Sequence, residues 1–249
     1  MEIRKKFMFP AVLACFASLL PSLCFAQSND ALPKFGIGVN AGTLGVGVQA
    51  ATAVARKSNV RFGFNYFSYS GSSTSSSSNI TFNGKLQLES AELLFDQYIA
   101  GGFHISPGMA IYDGNKATGN AAIPAGHTFT LNSVTYFSGA NNPVAGTGSF
   151  TAGKVAPELL FGFGNLLPRS SRHFSVNFDF GVIFTRSPVI SLNLAGDACA
   201  ISATSGCASI QSTPSVMSNL QAQQAKLNND AGPYLKYWPV IRLGIGYKF

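Results

Sequence analysis

From Phe174 to Phe184 the chain alternates between two kinds of residue. Phe174, Val176, Phe178, Phe180, Val182 and Phe184 share one face, and Ser175, Asn177, Asp179, Gly181 and Ile183 share the other. A period of two is that of a β-strand, whose successive side chains point to opposite sides of a sheet. The pattern recurs. Val60, Phe62, Phe64 and Tyr66 alternate with Arg61, Gly63 and Asn65, and Leu44, Val46, Val48, Ala50 and Val54 with Gly45, Gly47, Gln49 and Ala51. Phe103, Ile105, Pro107, Met109 and Ile111 alternate with His104, Ser106, Gly108 and Ala110, and Val155, Pro157, Leu159, Phe161 and Phe163 with Ala156, Glu158, Leu160 and Gly162. The non-apolar face is rich in Gly and poor in charge. That suits a crowded barrel interior better than the wet face of a soluble sandwich, and segments of about ten residues between turns suit an outer-membrane barrel.

These periods predict strands at 35–41, 44–55, 59–70, 79–98, 102–113, 151–165, 172–190 and 233–249. In the long fourth strand the apolar phase moves near Ser90, from Leu86 and Leu88 to Leu93 and Phe95, which predicts a bulge. Short turns at 56–58, 99–101 and 166–171 fall at one end. The Ser-rich tip 71–78 and the excursions 114–150 and 191–232 fall at the other. Thr128–Phe137 reads as one more strand, either an external hairpin or a pair that brings the total to ten. Ser215 to Asn229 has helical spacing around Leu220, Gln221, Ala222, Gln224, Ala225 and Leu227, with the Gln and Asn content of a loop-packing helix. The fold class expected is therefore all-β: a closed antiparallel transmembrane β-barrel of eight strands, or ten, with one short helix outside it.

Composition strengthens this picture. Charged residues make up 11% of the chain, against 21 Phe and 26 Gly, whereas a soluble domain is about one-quarter charged. After residue 26 no segment has the ~20 apolar residues of a spanning helix. At the N-terminus, Arg4, Lys5 and Lys6 precede an apolar run from Phe7 to Leu20, then Pro21 and Ser22, then Cys24-Phe25-Ala26. That order is a secretory signal peptide, 1–26, with cleavage between Ala26 and Gln27 and the barrel occupying 27–249. The mature part keeps 14 basic and 9 acidic residues, spread thinly. A nucleic-acid binder would show basic runs with interleaved aromatics. Cys199 and Cys207 remain after cleavage, separated by a Ser/Ala/Gly-rich stretch, and in an exported protein such a pair reads as a disulfide.

At the C-terminus, Phe249, Tyr247, Ile245, Leu243 and Ile241 form one unbroken apolar face, with Lys248, Gly246, Gly244 and Arg242 on the other. These residues resemble the closing strand of small bacterial outer-membrane barrels of the OmpA/OmpW kind. Gly42-Thr43-Leu44-Gly45 and Trp238-Pro239-Val240 … Phe249 look most like an uncharacterised group of such barrels. The resemblance implies the cell outer membrane as location, with outer-membrane lipid and lipopolysaccharide around the barrel. It also implies the barrel-assembly machinery and periplasmic chaperones as partners that read the terminal aromatic.

Candidate chemistry is sparse, and neither metal nor cofactor is expected. The Gly-x-Gly patterns at 36–38, 45–47 and 244–246 lie inside strands, without the strand-turn-helix context of a nucleotide site. They read as small residues relieving crowding in a barrel wall. His104 and Ser106 share a face, as in the His-x-Ser pair of outer-membrane lipid A deacylases, but their apolar neighbours claim the lipid side and turn the pair inward. Glu158 and Asp179 also face inward, on strands joined by the turn at 166–171. A symmetric hairpin would place them opposite each other, with Arg242 from the last strand and Arg61 from the third as counter-cations. An eight-stranded barrel is just narrow enough for side chains to fill it. The function expected is a structural or narrow, porin-like barrel with a charge-plugged lumen. The alternatives are a lipid hydrolase using His104 and Ser106, or a surface adhesin acting through its long loops.

Overall fold

The structure is a computed structural model and describes residues 35–75, 79–111, 115–151, 153–185 and 189–249. The signal sequence, with Ala26 and Gln27, lies outside the described residues.

Eight antiparallel strands close into a ring. They are β1 (Gly36–Gly42), β2 (Gly45–Ala55), β3 (Ser58–Thr74), β4 (Thr81–Ala100), β5 (Phe103–Ile111), β10 (Val155–Gly164), β11 (Phe174–Phe184) and β15 (Tyr237–Lys248). Each pairs with the next in that order, and closure is made by β15 on β1, from Gly36↔Lys248 to Gly42↔Arg242. The outward residues form an exposed apolar belt that includes Val39, Val48, Phe62, Phe64, Leu93, Phe163, Phe178, Ile241, Leu243 and Ile245. Aromatic residues edge the belt. Phe35, Phe174, Tyr247 and Phe249 cluster at one end, where the described chain starts and finishes, and Phe184 packs on Tyr237 at the other.

The first hairpin departs from its expected pattern at Leu44, which is buried rather than facing out with Val46. Gly45 takes a positive φ of 103° after the two-residue turn, a conformation that only glycine adopts easily. The extra twist there turns Leu44 into the barrel. One expected strand is also divided, and of the two alternatives for 128–137 the external hairpin is the one formed. The 172–190 segment leaves the ring at Phe184, and β12 (Val189–Ala195) pairs elsewhere. The 128–137 segment is a hairpin of β7 (Thr128–Leu131) and β8 (Val134–Ser138), because Asn132 and Ser133 both adopt positive φ. It lies outside the ring, so the barrel has eight strands.

β3 and β4 outrun the barrel. Their upper halves continue into β6 (Lys116–Ala122), β9 (Ala145–Thr151) and β12, a five-strand extension on the end away from the termini. The expected bulge at Ser90 is absent, for β3 and β4 stay in register from Ser58↔Gln97 to Thr74↔Thr81. What changes near Ser90 is the polarity of the two faces. Below the Tyr66↔Glu89 pair, apolar residues point out and polar ones in. Above it, the outward positions are Ser68, Ser70 and Ser72 with Gln87, Lys85 and Asn83. The opposite face carries Leu86, Leu88, Ala117, Phe150, Leu192 and Leu194. The one register shift between β4 and β5 lies at Tyr98/Ala100, beside the turn.

A second sheet, β14-β13-β8-β7, caps this end, with β13 (Asp197–Ser202) and β14 (Ser205–Ser209). Cys199 and Cys207 are opposed in that hairpin and joined by a disulfide. Helix α1 (Pro214–Ala231) begins with Pro in its first turn, where the missing N–H costs nothing. Its Val216 and Leu220 pack with Ile123, Leu131, Tyr136, Val144, Ala198 and Ile210. Its amides explain its polar content. Gln224 and Asn228 accept from the backbone N–H groups of Leu192 and Ile190 at 3.0 and 2.8 Å. That satisfies β12, an edge strand whose free donors would otherwise template pairing with another chain.

Candidate functional site in the barrel lumen

Asp179 on β11 lies directly opposite Arg242 on β15. Both side chains point inward and are buried. Arg242 Nε donates to Asp179 Oδ2 at 2.9 Å, and its Nη1 donates to Glu92 of β4. Arg61 reaches across the lumen from β3. Its Nη1 and Nη2 meet the two Asp179 oxygens at 2.7 and 3.3 Å, and Nη2 also meets Asp96 at 3.0 Å. The sequence-derived set Arg61, Asp179 and Arg242 thus converges, joined by the acids Glu92 and Asp96.

Neutral groups complete the network. Asn65 Nδ2 donates to Glu92 at 3.2 Å, Asn177 Nδ2 to Asp179 at 3.3 Å, and Gln49 Nε2 to Asn177 at 3.3 Å. Glycines make the room. Gly162 of β10 is opposed by His104 on one side and Asp179 on the other. A Cβ at Gly162 would collide with both. Its absence lets His104 Nε2 meet Asp179 Oδ1 over the bare backbone at 2.9 Å. The pair that suggested hydrolysis is divided between two carboxylates. His104 faces Asp179, while Ser106 Oγ donates to Asp96 at 2.6 Å, and both are sealed from solvent.

Glu158 does not face Asp179. It is opposed by Ile183, and Asp179 by Gly162, a four-residue displacement from a hairpin symmetric about 166–171. The cause is the connection itself. Gly164 turns the chain at φ 95°, and Leu166 and Leu167 tuck into the barrel mouth against Ala51. A Cβ on Gly36 or Gly38 would stand 2.7 or 2.8 Å from those leucines, so the small wall residues are what admit them. Glu158 is buried at 3% exposure, and neither of its oxygens has a hydrogen-bond partner among the described residues.

Other side chains lie in the barrel on both sides of the charges. On the cap side Leu44, Leu94, Ala110, Ala156, Leu160, Ile183 and Val240 pack together with Trp238 against them. On the terminus side, Arg169 spans from the β10–β11 turn to the β2–β3 turn. It donates to the carbonyls of Ala55 and Arg56 at 3.0 and 3.2 Å and to Asn59 Oδ1 at 2.7 Å. Partial burial lowers its guanidinium pKa from the ordinary value. Among the described residues no group of His, Cys, Asp and Glu is arranged to hold a metal ion.

No family model matches the chain, and no curated protein matches it. Among solved structures, CarO of Acinetobacter baumannii is similar over 89% of this chain and 100% of its own, with a TM-score of 0.55 and 22% identity. Acinetobacter baumannii CarO2 is similar over 88% of this chain and 100% of its own, with a TM-score of 0.56 and 19% identity. At that identity the likeness is one of fold: this chain and the CarO chains share a barrel architecture along nearly their whole lengths.

Proposed function

We propose that the chain, exported and cut after Ala26, is an outer-membrane β-barrel acting as a narrow, porin-like channel held shut by its lumen network. The observation that carries the membrane reading is the change of polarity along β3 and β4. Where apolar residues point outward, the surrounding solvent is apolar. Where they turn to the cap side of the same unbroken strands, it is water. Outward aromatics at Tyr237 and Tyr247 bracket the belt on β15. Ten residue steps at ~3.3 Å, tilted by ~40°, give a belt ~25 Å tall, the height of the apolar band of outer-membrane barrels.

The closed state follows from filling. Arg61 and Arg242 bind carboxylates from β4 and β11, and apolar side chains pack on the cap side of them. Planar-bilayer recording of the refolded barrel tests this reading, with low or absent conductance expected. A large steady conductance from the unmodified protein would refute the plug.

A further inference from the structure

We infer that the outward face of the extension sheet, centred on Lys85 and Lys116, is a binding surface for the phosphorylated sugar headgroups of lipopolysaccharide. The inference rests on the membrane reading above and names a partner for a surface that reading leaves bare.

The sheet register puts this face in order. The first outward row above Tyr66 and Glu89 is Ser68, Gln87, Lys116 and Thr151, ending at Val189. The second is Ser70, Lys85, Thr118, Ser149 and Ser191. Two residues on a tilted strand climb ~5 Å, so the rows stand ~5 and ~10 Å beyond the last outward aromatic. The polar layer of a bilayer is about 5–8 Å thick on each side of the hydrocarbon, so the first row falls within it and the second at its outer edge. The surface is therefore continuous with the apolar belt and lies at headgroup depth.

Its chemistry is complementary to phosphosugar. The two rows offer hydroxyls, one amide and two ammonium groups, and the nearest outward carboxylate, Glu89, lies in the row beneath them. Neither lysine has an ion-pair partner among the described residues. Lys85 is opposite Thr118, two residues from Lys116 on the same strand. The two ammonium-bearing residues are thus diagonal neighbours, ~7–8 Å apart at the backbone, close enough to grip one phosphorylated sugar together. Behind them Gly71, Gly84, Gly119 and Gly148 are paired in a single row across four strands. On the outward side, Ser70, Ser72, Asn83 and Asn120 add hydroxyl and amide groups beside the two lysines.

The test uses full-length barrel inserted into phosphatidylethanolamine vesicles carrying bis-phosphorylated or dephosphorylated lipid A, with retained lipid counted by native mass spectrometry. Each lysine near a charged bilayer surface contributes about a factor of five to affinity, so Lys85→Ala with Lys116→Ala should weaken binding of the phosphorylated lipid about thirtyfold. Lys85→Arg with Lys116→Arg should retain it. Lys57→Ala with Arg172→Ala, at the opposite end of the barrel, should leave it unchanged. Dephosphorylated lipid A should bind the unmodified protein no better than the alanine pair binds the phosphorylated form. Equal retention by the unmodified and alanine proteins, or equal retention of both lipids, overturns the inference and leaves the barrel assignment standing. Failure of the unmodified chain to insert overturns the membrane reading first, and this inference with it.

Discussion

Arg242→Ala is the most exacting perturbation of the lumen, because its two carboxylate partners are left in different conditions. Asp179 keeps Arg61 at 2.7 Å, His104 at 2.9 Å and Asn177 at 3.3 Å. Glu92 keeps only the Asn65 amide at 3.2 Å, in a site where its side chain has no exposed surface. The cost is therefore set by a stranded carboxylate rather than by the lost attraction. Removing one partner of a buried pair typically costs about 3–5 kcal/mol. Urea unfolding in lipid vesicles, followed by emission of Trp238, the single tryptophan, would measure it. The double variant Arg242→Met with Glu92→Leu removes the stranded charge and should recover at least half the loss, since buried pairs are replaceable by apolar groups. An Arg242→Ala barrel within about 1 kcal/mol of the unmodified protein, or a double variant less stable than either single one, would refute the reasoning.

The last residue is expected to matter for assembly. Phe249 donates its N–H to the Phe35 carbonyl at 3.2 Å, stacks on Phe35 and meets Tyr247 edge-on, so its deletion should lower the membrane-inserted, heat-modifiable fraction seen on gels. Replacing Cys199 and Cys207 by Ser should speed proteolysis of the β13–β14 hairpin. A disulfide closing so short a loop contributes at most ~2–3 kcal/mol, all of it within the cap, so the heat-modifiable shift of the barrel should persist. Arg169→Ala removes the tie between two turns on opposite sides of the ring, at a cost of about 1–2 kcal/mol. Hydrogen exchange should then accelerate at residues 165–173, with the strands above them unchanged.

Alternation made the barrel legible, because each strand reports its two environments residue by residue. The same rule misled at Ser90, where the environments exchange sides and the strand does not. A bulge accounts for the change of phase between Leu88 and Leu93 without drawing attention to the inward row Ser90, Glu92, Leu94, Asp96 and Tyr98. Glu92 and Asp96 thus escaped notice as partners for the arginines. The signal was present: Leu93 and Phe95 on the lipid side place Glu92 and Asp96 inside. Glu158 was misplaced for another reason. Its partner depends on how the connecting turn folds, and no strand period records that Leu166 and Leu167 dip into the barrel mouth. Leu44 belongs with it, since a turn residue obeys the turn before it obeys the strand.

The change of faces along β3 and β4 also governs how these strands find their pairing during folding. A slip of one residue would turn Phe62 and Phe64 into the charged lumen and Ser70 and Ser72 into the apolar interior of the cap, so both halves would object at once. A slip of two keeps every face correct, and in an ordinary sheet it would carry little penalty. Here it would draw Lys85 about 5 Å deeper, toward hydrocarbon where a lysine becomes steadily more costly. The hairpin is thus proofread twice, by facing and by depth. Seventeen consecutive pairs from Ser58↔Gln97 to Thr74↔Thr81 can be assembled without a bulge to mark the place.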